Sequence, residues 1–318
     1  KALTPSLRLL LSLPSLLFVT LFPYIVETDE FMKFLLTIVG FFTSFNIVDL
    51  VYLEPVEHLS FKEYMFFLST SSRYPGFGQS PATKETLASL HLNFNLKALT
   101  RLGAAALKLL VFAAVFETIQ KWDISQSYFV YFIFSFLLGA GLYICFTVLL
   151  DLVGLFWELV FNMKPKELFN APFLASSPRD FWSRRWNMFF RDFFHKMFFR
   201  NHKSISYLRS TLSALAIFAI SGLLHEYTYW SIVGKLSGLN LLFFAVHGIA
   251  TAGQVLIQMA FPVLKRIPRP VGIVMNLLFL LLTIPLFVGP YISSGYVHSV
   301  SLPFTLMPTL NEAVSQIV

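Results

Sequence analysis

The sequence has few charges and a single cysteine. Lys, Arg, Asp and Glu together make up 13% of its 318 residues, whereas soluble domains contain about a quarter. Hydrophobic residues account for 56%, and the mean hydropathy is +0.68. With only Cys145, no disulfide can form within the chain. This composition excludes an ordinary soluble domain and predicts an all-α polytopic membrane protein that has membrane lipid as a constant partner.

Sequence patterns for binding metal, phosphate or nucleic acid are also missing. One cysteine and scattered histidines provide no spacing suited to a metal site, and no glycine-rich phosphate loop occurs. We therefore expect no metal, no cofactor and no nucleic-acid partner. An internal repeat is not visible either, and this counts against a transporter built from two inverted halves.

Seven apolar runs are long enough to cross a bilayer, which takes about 20 helical residues. Pro14, Pro23 and Pro285 lie inside such runs and predict kinks or helix ends. The stretch 151–162 either lengthens the fourth span or turns into the interface. The sequence starts at Lys1 without an initiator methionine, so a bundle of seven or eight spans is predicted, in one membrane domain over 1–318. The seven predicted spans are 7–26, 32–53, 100–119, 128–150, 208–233, 239–263 and 272–293.

Basic residues concentrate in three of the segments between spans. Residues 164–209 include ten Lys or Arg, residues 54–101 are also basic, and residues 265–270 read KRIPRP. Two spans separate each consecutive pair of these segments, so all three emerge on the same side of the membrane. Because positive loops face the cytoplasm, we expect these three segments in the cytosol.

The long basic segment contains SSPRDFWSRRWNMFFRDFFHKMFF (176–199). Ser177 as N-cap and Pro178 at the first helical position predict a helix start, and the interpretation is one amphipathic interfacial helix over 178–199. An anchor on anionic lipid fits the pattern equally well. The aromatic stripe would comprise Trp182, Trp186, Phe189, Phe193 and Met197, and the polar stripe Ser183, Arg184, Asn187, Arg191 and His195.

A second stretch, SGLLHEYTYW (221–230), places His225 and Glu226 side by side at the end of an apolar run. A charged group at the centre of a membrane helix costs about 2.5–3.5 kcal/mol even on insertion scales. His225 is therefore either a functional residue or a hydrogen-bonded packing residue. Glu226 points about 100° away around the helix and is interpreted as a packing or orienting group. The other histidines are interpreted as structural (His195, His247) or as loop residues (His58, His91, His202, His298).

The two stretches together resemble the membrane-bound O-acyltransferase superfamily. The resemblance rests on FWSRRWN (181–187), followed about 40 residues later by SGLLHEY (221–227) in an apolar helix. The preceding FNAPFLASSPRD (169–180) is similar to the wax synthase branch. Branches that form triacylglycerol and sterol esters end the first motif in Asp-Trp-Trp-Asn, whereas here Arg184 and Arg185 replace its first two residues. The resemblance covers roughly residues 165–230.

The resemblance implies an enzyme that forms wax esters by transferring a fatty acyl group from acyl-CoA to a long-chain fatty alcohol. His225 would be the general base, and Asn187 would donate a hydrogen bond to the thioester carbonyl or the developing oxyanion. Acyl-CoA would be a co-substrate, and the membrane would be that of the endoplasmic reticulum, with a homo-oligomer also considered. The implied substrate-binding residues are Trp182, Arg184, Arg185, Trp186 and Arg191, of which the arginines would attract the CoA phosphates.

Other functions stay open at this point. The acceptor could be a sterol, a diacylglycerol or a terpenoid alcohol, and the donor could be short. A lipid transporter would explain the spans and the intramembrane histidine, but not Trp186 and Asn187 beside arginines. Ser221, four residues before His225, would permit a two-step route through an acyl-enzyme. The resemblance favours direct transfer instead.

Overall fold

The computed structural model describes residues 4–53, 59–71, 73, 95–121, 127–161, 163–199 and 207–299. These residues form helices, short helical turns and connecting loops, with no strand among them. A π-helical turn, Asp49–Leu53, continues the second helix. The helices of the described part are α1 Pro5–Ile25, α2 Glu30–Val48, α3 Phe61–Thr70, α4 Asn95–Gln120, α5 Tyr128–Phe161, α6 Met188–Phe199, α7 Tyr207–Val233, α8 Leu239–Ala260 and α9 Arg269–Ser293.

Seven of the described helices, α1, α2, α4, α5, α7, α8 and α9, are long and apolar enough to cross a membrane. They coincide with the seven predicted runs, and the protein is an all-α polytopic membrane protein. Helix α5 continues to Phe161, so residues 151–161 lengthen this span and do not turn into the interface. Pro14 and Pro285 lie inside α1 and α9, where the helices continue past them.

Two ion pairs join α4 and α5 in antiparallel register. Arg101 pairs with Glu158, and Lys108 Nζ lies 2.7 Å from Asp151 Oδ2. The partners are seven residues apart on each helix, which is two turns, so they fall on one face. This hairpin packs on α9 through an apolar cluster of Ile119, Phe134, Leu138, Val288, Ile292 and Val297.

Helices α7 and α8 approach each other closely because glycine lies at their contact. A Cβ on Gly222 of α7 would be 2.8 Å from Leu241 Cδ1 and 3.0 Å from Leu241 Cα. A Cβ on Gly248 of α8 would be 3.0 Å from Phe218 Cβ. Small residues of this kind let helix backbones approach each other in membranes. The antiparallel α7–α8 pair is thereby held together beside His225.

The predicted single interfacial helix over 178–199 is wrong. Ser177 caps it as expected, since its hydroxyl accepts from the Asp180 N–H at 3.1 Å. The chain then forms one helical turn, Pro178–Asp180, and a π-helical turn, Phe181–Arg185. It breaks before α6 begins, where Asn187 adopts φ 43°, a left-handed conformation that asparagine tolerates better than most residues.

The break also separates the predicted aromatic stripe into two parts with different neighbours. Trp182 packs against α7 and α8, whereas Phe189 and Phe193 of α6 pack against Phe45 of α2 and its neighbours. Met197, placed on the same stripe, is 54% exposed. Most of the stripe therefore packs on protein, and the prediction that it faces lipid fails for Trp182, Phe189 and Phe193.

Candidate active site

His225 lies on α7 with its protonation pattern defined by one hydrogen bond. Its Nδ1 is 2.7 Å from the backbone oxygen of Ser221. A carbonyl oxygen can only accept, so Nδ1 carries the hydrogen and Nε2 of the neutral ring keeps its lone pair. The described residues make no hydrogen bond to Nε2, which is therefore the atom that can receive a proton from a substrate.

Aromatic rings from the two neighbouring helices surround His225. The ring centroid of Phe244, on α8, lies 4.5 Å away, and that of Phe287, on α9, lies 5.2 Å away. The imidazole itself remains partly exposed. An apolar surrounding with an accessible ring suits a site that receives lipid substrates.

Glu226 caps the helix that follows in sequence. Its Oε2 accepts from the Ser237 N–H at 3.0 Å, and its Oε1 accepts from the N–H groups of Asn240 at 2.9 Å and Leu241 at 3.3 Å. Residue 238, the N-cap of α8, is a glycine without a side chain to do this. A carboxylate at a helix N-terminus is stabilised by the unpaired N–H groups and the helix dipole. Glu226 is thus an orienting group, as interpreted from the sequence.

Trp182 connects the 176–187 segment to the helices around His225. Its indole N–H donates to His247 Nδ1 at 3.0 Å. Its ring contacts Phe218 at 5.5 Å and Phe244 at 5.6 Å between centroids. Phe244 also contacts His225, so this one side chain lies between Trp182 and the candidate base and contacts both.

Asn187 follows Trp182 by five residues and lies between the π-helical turn and α6. Its Oδ1 lies 3.5 Å from the Phe190 N–H in the first turn of α6, an arrangement that resembles an N-cap. With Oδ1 so occupied, the Nδ2 hydrogens point elsewhere and find no partner among the residues described. Helix α6 packs beside Ile217 and Ile220 of α7, one to two turns before His225. The predicted role of Asn187 as a hydrogen-bond donor to substrate remains a prediction.

Trp186 packs within the loop region. Its ring stacks on Phe181, with centroids 5.2 Å apart, and contacts Phe169 at 5.1 Å and Tyr143 of α5 at 6.0 Å. These contacts give Trp186 a role in fixing the 176–187 segment against α5. Its predicted contact with substrate remains a prediction.

Arg185 is engaged in the fold. Its Nε donates to Asp180 Oδ2 at 2.8 Å, and its Nη1 donates to the backbone oxygens of Asn170 and Ala171 at 3.2 Å each. Burial by itself would raise the pKa of Asp180, but the hydrogen bonds from Arg185 and from the Ser176 N–H hold that pKa below its ordinary value. We call this arrangement the Arg185 latch, since it fastens the 176–187 segment to residues 170 and 171.

The other two arginines differ in how far their guanidinium groups are already paired and so unable to bind a phosphate. Arg191 pairs with Asp192, and its Nη1 donates to the Ser183 backbone oxygen at 3.4 Å. Arg184 is exposed and makes no hydrogen bond or ion pair with any residue in the described part of the chain. Of the three arginines predicted to attract phosphate, Arg184 is the one with its guanidinium most available.

Sequence reasoning missed the connection between Trp182 and His247. His247 was interpreted as structural, and it is fully buried on α8. The two residues are 65 positions apart, so no local spacing predicts that they meet. The four remaining loop histidines, His58, His91, His202 and His298, lie outside the residues whose side chains are described.

A cavity of about 320 Å³ is lined in part by residues of α6, and none of the predicted site residues lines it. Asp49 lies at its wall and holds both Arg73 Nη2, at 2.9 Å, and Lys196 Nζ, at 3.0 Å. Lys166 pairs with Asp192 there at 2.7 Å. Asp49 and Asp192 each form ion pairs here, and these pairs connect α6 to residues 49, 73 and 166.

Comparison with known proteins adds the family. Residues 165–246 match the model of the Membrane bound O-acyl transferase family, and this range includes Trp182, Asn187 and His225. This segment, about a quarter of the chain, is therefore similar to that family. The membrane bound O-acyl transferase match thus contains both motifs that carried the resemblance, and it ends one residue before His247.

Several plant proteins are similar to this chain. Probable long-chain-alcohol O-fatty-acyltransferase 2 of Arabidopsis thaliana is 29% identical over 204 residues, which are 61% of this chain and 57% of that protein. Long-chain-alcohol O-fatty-acyltransferase of Simmondsia chinensis is 28% identical over 130 residues, 36% of this chain and 35% of the relative. Acyl-CoA–sterol O-acyltransferase 1 of Arabidopsis thaliana is 27% identical over 122 residues, with 36% and 35% covered. The chain thus spans 57% of the length of the first of these relatives.

Proposed function

We propose that the protein is an acyl-CoA-dependent O-acyltransferase that forms wax esters from long-chain alcohols. The observation that carries the proposal is the hydrogen bond from His225 Nδ1 to the Ser221 carbonyl, which leaves Nε2 as a proton acceptor inside an aromatic site. The names of the relatives from Arabidopsis thaliana and Simmondsia chinensis support the choice of acceptor.

The reaction is a direct transfer between two bound substrates. The alcohol hydroxyl donates its proton to Nε2 of His225 while its oxygen attacks the thioester carbonyl carbon of acyl-CoA. The tetrahedral intermediate collapses by breaking the C–S bond, which gives the ester and the CoA thiolate. The imidazolium then returns the proton to the sulfur, so the ring is neutral again. A general base of this kind contributes about 10²–10⁴-fold.

Asn187 has the part of oxyanion donor in this proposal. Because Oδ1 faces the Phe190 N–H, the free Nδ2 hydrogens are the ones available to the carbonyl oxygen of the thioester. One such donor typically contributes about 10²–10³-fold. The hydrogen bond strengthens as negative charge develops on the oxygen, and therefore it favours the transition state over the bound thioester.

The Ser221 geometry favours direct transfer over an acyl-enzyme. The bond to His225 is made by the backbone oxygen of Ser221 through Nδ1. In the part of the chain that the structure describes, no hydrogen bond joins the Ser221 hydroxyl to either ring nitrogen. A serine nucleophile would need such a bond to be activated. Ser221→Ala should therefore retain ester formation, and no acyl group should accumulate on the protein when acyl-CoA is supplied alone.

The distribution of charge indicates the side from which each substrate approaches. Acyl-CoA would come from the basic side, where Arg184 is exposed, and the alcohol from the bilayer. The proposal places the protein in the endoplasmic reticulum membrane. Association of two copies stays a prediction from the sequence.

A sterol acceptor is the second candidate, because one relative is named as an acyl-CoA–sterol O-acyltransferase. Membranes from cells that express the chain should be supplied with one labelled acyl-CoA and an equimolar mixture of long-chain alcohols, sterol and diacylglycerol. Mass spectrometry of the products then decides between the acceptors. Wax ester as the main labelled product supports the first candidate, and sterol ester supports the second. Absence of any labelled ester, with the protein present in the membrane, would contradict both.

A further inference from the structure

We infer that His247 is a positioning residue, which holds Trp182 and through it the segment that carries Asn187. The inference rests on the proposed acyl transfer and deepens it. His247 acts on the reaction through another side chain, so it is distinct from the base and from the oxyanion donor.

The hydrogen bonds around His247 have only one consistent set of directions. The indole N–H of Trp182 can only donate, so His247 Nδ1 accepts it at 3.0 Å. The hydrogen of the neutral ring is then on Nε2, which donates to Thr283 Oγ1 at 3.0 Å. The Thr283 hydroxyl in turn donates to the Phe279 backbone oxygen at 2.8 Å. The relay runs from the loop, through α8, to the backbone of α9.

This pattern excludes His247 as a second base. Both of its ring nitrogens are engaged, and the one lone pair it offers is taken by Trp182. His225 shows the opposite pattern, with the hydrogen on Nδ1 and Nε2 available. The two histidines therefore have different tasks, although the rings that contact them, Phe244 for His225 and Phe243 for His247, pack against each other.

The burial of His247 indicates that its imidazole serves to place a hydrogen-bond acceptor and not merely to fill space. His247 has no exposed surface and lies against Phe243, at 4.2 Å between centroids, and Phe279, at 4.6 Å. A phenyl ring would fill such a place without bringing polar atoms that need partners. What the imidazole adds is an acceptor at one defined point, and this fixes the rotation of the Trp182 indole.

Several contacts hold the 176–187 segment, among them the bond from the Arg179 N–H to Gln254 Oε1 of α8 at 3.2 Å, and His247 supplies the one that fixes the Trp182 side chain. The Arg185 latch fastens the segment to residues 170 and 171. The His247–Trp182 bond fastens it to α8, at the start of the π-helical turn that ends before Asn187. Without the acceptor, the buried indole N–H would lose its partner and the ring would rotate or withdraw. Asn187 would then move relative to His225, and misplacement by about 1 Å can cost roughly 100-fold in rate.

The test is a set of double-mutant cycles on ester formation. We expect His247→Leu to lower kcat about 10- to 100-fold while the KM for acyl-CoA changes by less than about twofold. Trp182→Phe removes the donor together with part of the ring and should lower kcat at least as much, and the double variant should be no slower than the slower single variant. In the Asn187→Ala background, His247→Leu should add little. His247→Asn retains an acceptor near the Nδ1 position and should recover part of the rate.

Trp157→Phe is the matched control. Its indole N–H donates to Ser69 Oγ at 2.7 Å on a different helix pair, so the substitution removes the same kind of bond outside the site. Its kcat should stay close to that of the wild type. Losses that multiply in the cycle of His247 with Asn187, or an equal loss of kcat in Trp157→Phe, would overturn the inference.

A measurement without turnover separates this inference from the proposed function. In protein labelled with fluorotryptophan, the ¹⁹F resonance of Trp182 is the one that disappears in Trp182→Phe. It should shift or broaden in His247→Leu and move less in His247→Asn. An unchanged resonance in folded His247→Leu contradicts the tether, even if the wild type forms no ester. If the resonance moves but the wild type has no activity with any acceptor, the proposed function fails and the positioning inference fails with it, leaving only a structural contact.

Discussion

At the scale of single residues, the proposed roles of His225 and Glu226 separate proton transfer from orientation. His225 keeps a free Nε2 because its Nδ1 is bound to a backbone carbonyl, whereas the neighbouring Glu226 spends both carboxylate oxygens on the N-terminus of α8. Adjacent ionisable residues thus have unrelated tasks. The carboxylate secures the helix that carries Phe244, and Phe244 contacts the base.

The role of Glu226 can be tested by stability. Glu226→Ala leaves three N–H groups of the α7–α8 turn without their partner, and loss of a helix cap costs about 0.5–2 kcal/mol. Its thermal unfolding midpoint in detergent should therefore fall. Glu167→Ala is the control, since Glu167 is exposed and forms no bond in the described part of the structure. Equal midpoints for both variants and the wild type would contradict the capping role.

Residue identities were more predictable from the sequence than residue partners. The sequence singles out His225 because an ionisable side chain in an apolar run is costly, and Asn187 because it ends the FWSRRWN motif that carries the resemblance. The partners of Glu226 and Trp182 depend on how α8 returns along α7, which no local pattern specifies. The bond to His247 is therefore visible only in the folded chain.

At the scale of elements, the clearest difference from the sequence prediction is the break before α6. Aromatic residues recur from Trp182 to Phe193 at spacings that fit one helix, and this pattern predicts a continuous helix. The backbone instead turns at Asn187, where the Arg185 latch and the pairing of the Met188 N–H with the Leu168 oxygen, at 2.8 Å, compete with helix continuation. These contacts are tertiary. Periodicity therefore identified most of the aromatic residues that become buried, but it predicted one continuous helix and one shared face wrongly.

The contact between α7 and α8 predicts a difference between two glycines. In Gly222→Ala the new Cβ would meet Leu241 Cα, a backbone atom, at 3.0 Å. The helices must separate beside His225, so both the unfolding midpoint and the rate of ester formation should fall. Gly253→Ala is a matched change on α8, where a Cβ meets nothing within 4 Å. It should leave both quantities unchanged or raise the midpoint slightly. Loss of function in Gly253→Ala alone would refute this packing argument.

The Arg185 latch predicts how stability depends on pH. The pKa of Asp180 in the folded protein is below its ordinary value of 3.8, so ionised Asp180 stabilises the fold above that pH. The stabilisation is lost as the pH falls through the lower, folded value. Asp180→Asn should consequently have a lower unfolding midpoint than the wild type at pH 6. The gap should narrow as the pH falls below 3.8, and a gap independent of pH would contradict the latch.

At the scale of the whole molecule, Trp182 connects the 176–187 segment to the aromatic rings around His225, far along α7 from its first residue. His225 lies about 27 Å along α7 from Tyr207, at 1.5 Å per residue. The start of α7 and the 176–187 segment both lie within or beside residues 164–209, whose positive charge predicts the cytosolic side. Trp182 reaches inward from that side to the rings around His225. A charged donor from one side and an apolar acceptor from the bilayer could therefore meet there.

The availability of Arg184 predicts a selective effect on the charged substrate. Arg184→Gln removes an exposed cation without breaking a bond to any described residue, so the unfolding midpoint should not change. The KM for acyl-CoA should rise and the KM for the alcohol should not, because only CoA carries phosphates. The rise should shrink in high salt, which screens exposed charges. Equal KM values at low salt for variant and wild type would exclude Arg184 from CoA binding.

The most direct test of the account is the rate of wax ester formation by His225→Ala, measured with labelled acyl-CoA and a long-chain alcohol. If Nε2 is the base, the rate per folded protein should fall about 10²–10⁴-fold, while binding of acyl-CoA is retained. His195→Ala provides the matched control, since His195 is exposed on α6 and stacks only on Phe199 among the described rings. Its rate should equal that of the wild type. Ester formation by folded His225→Ala at the wild-type rate would contradict the central claim.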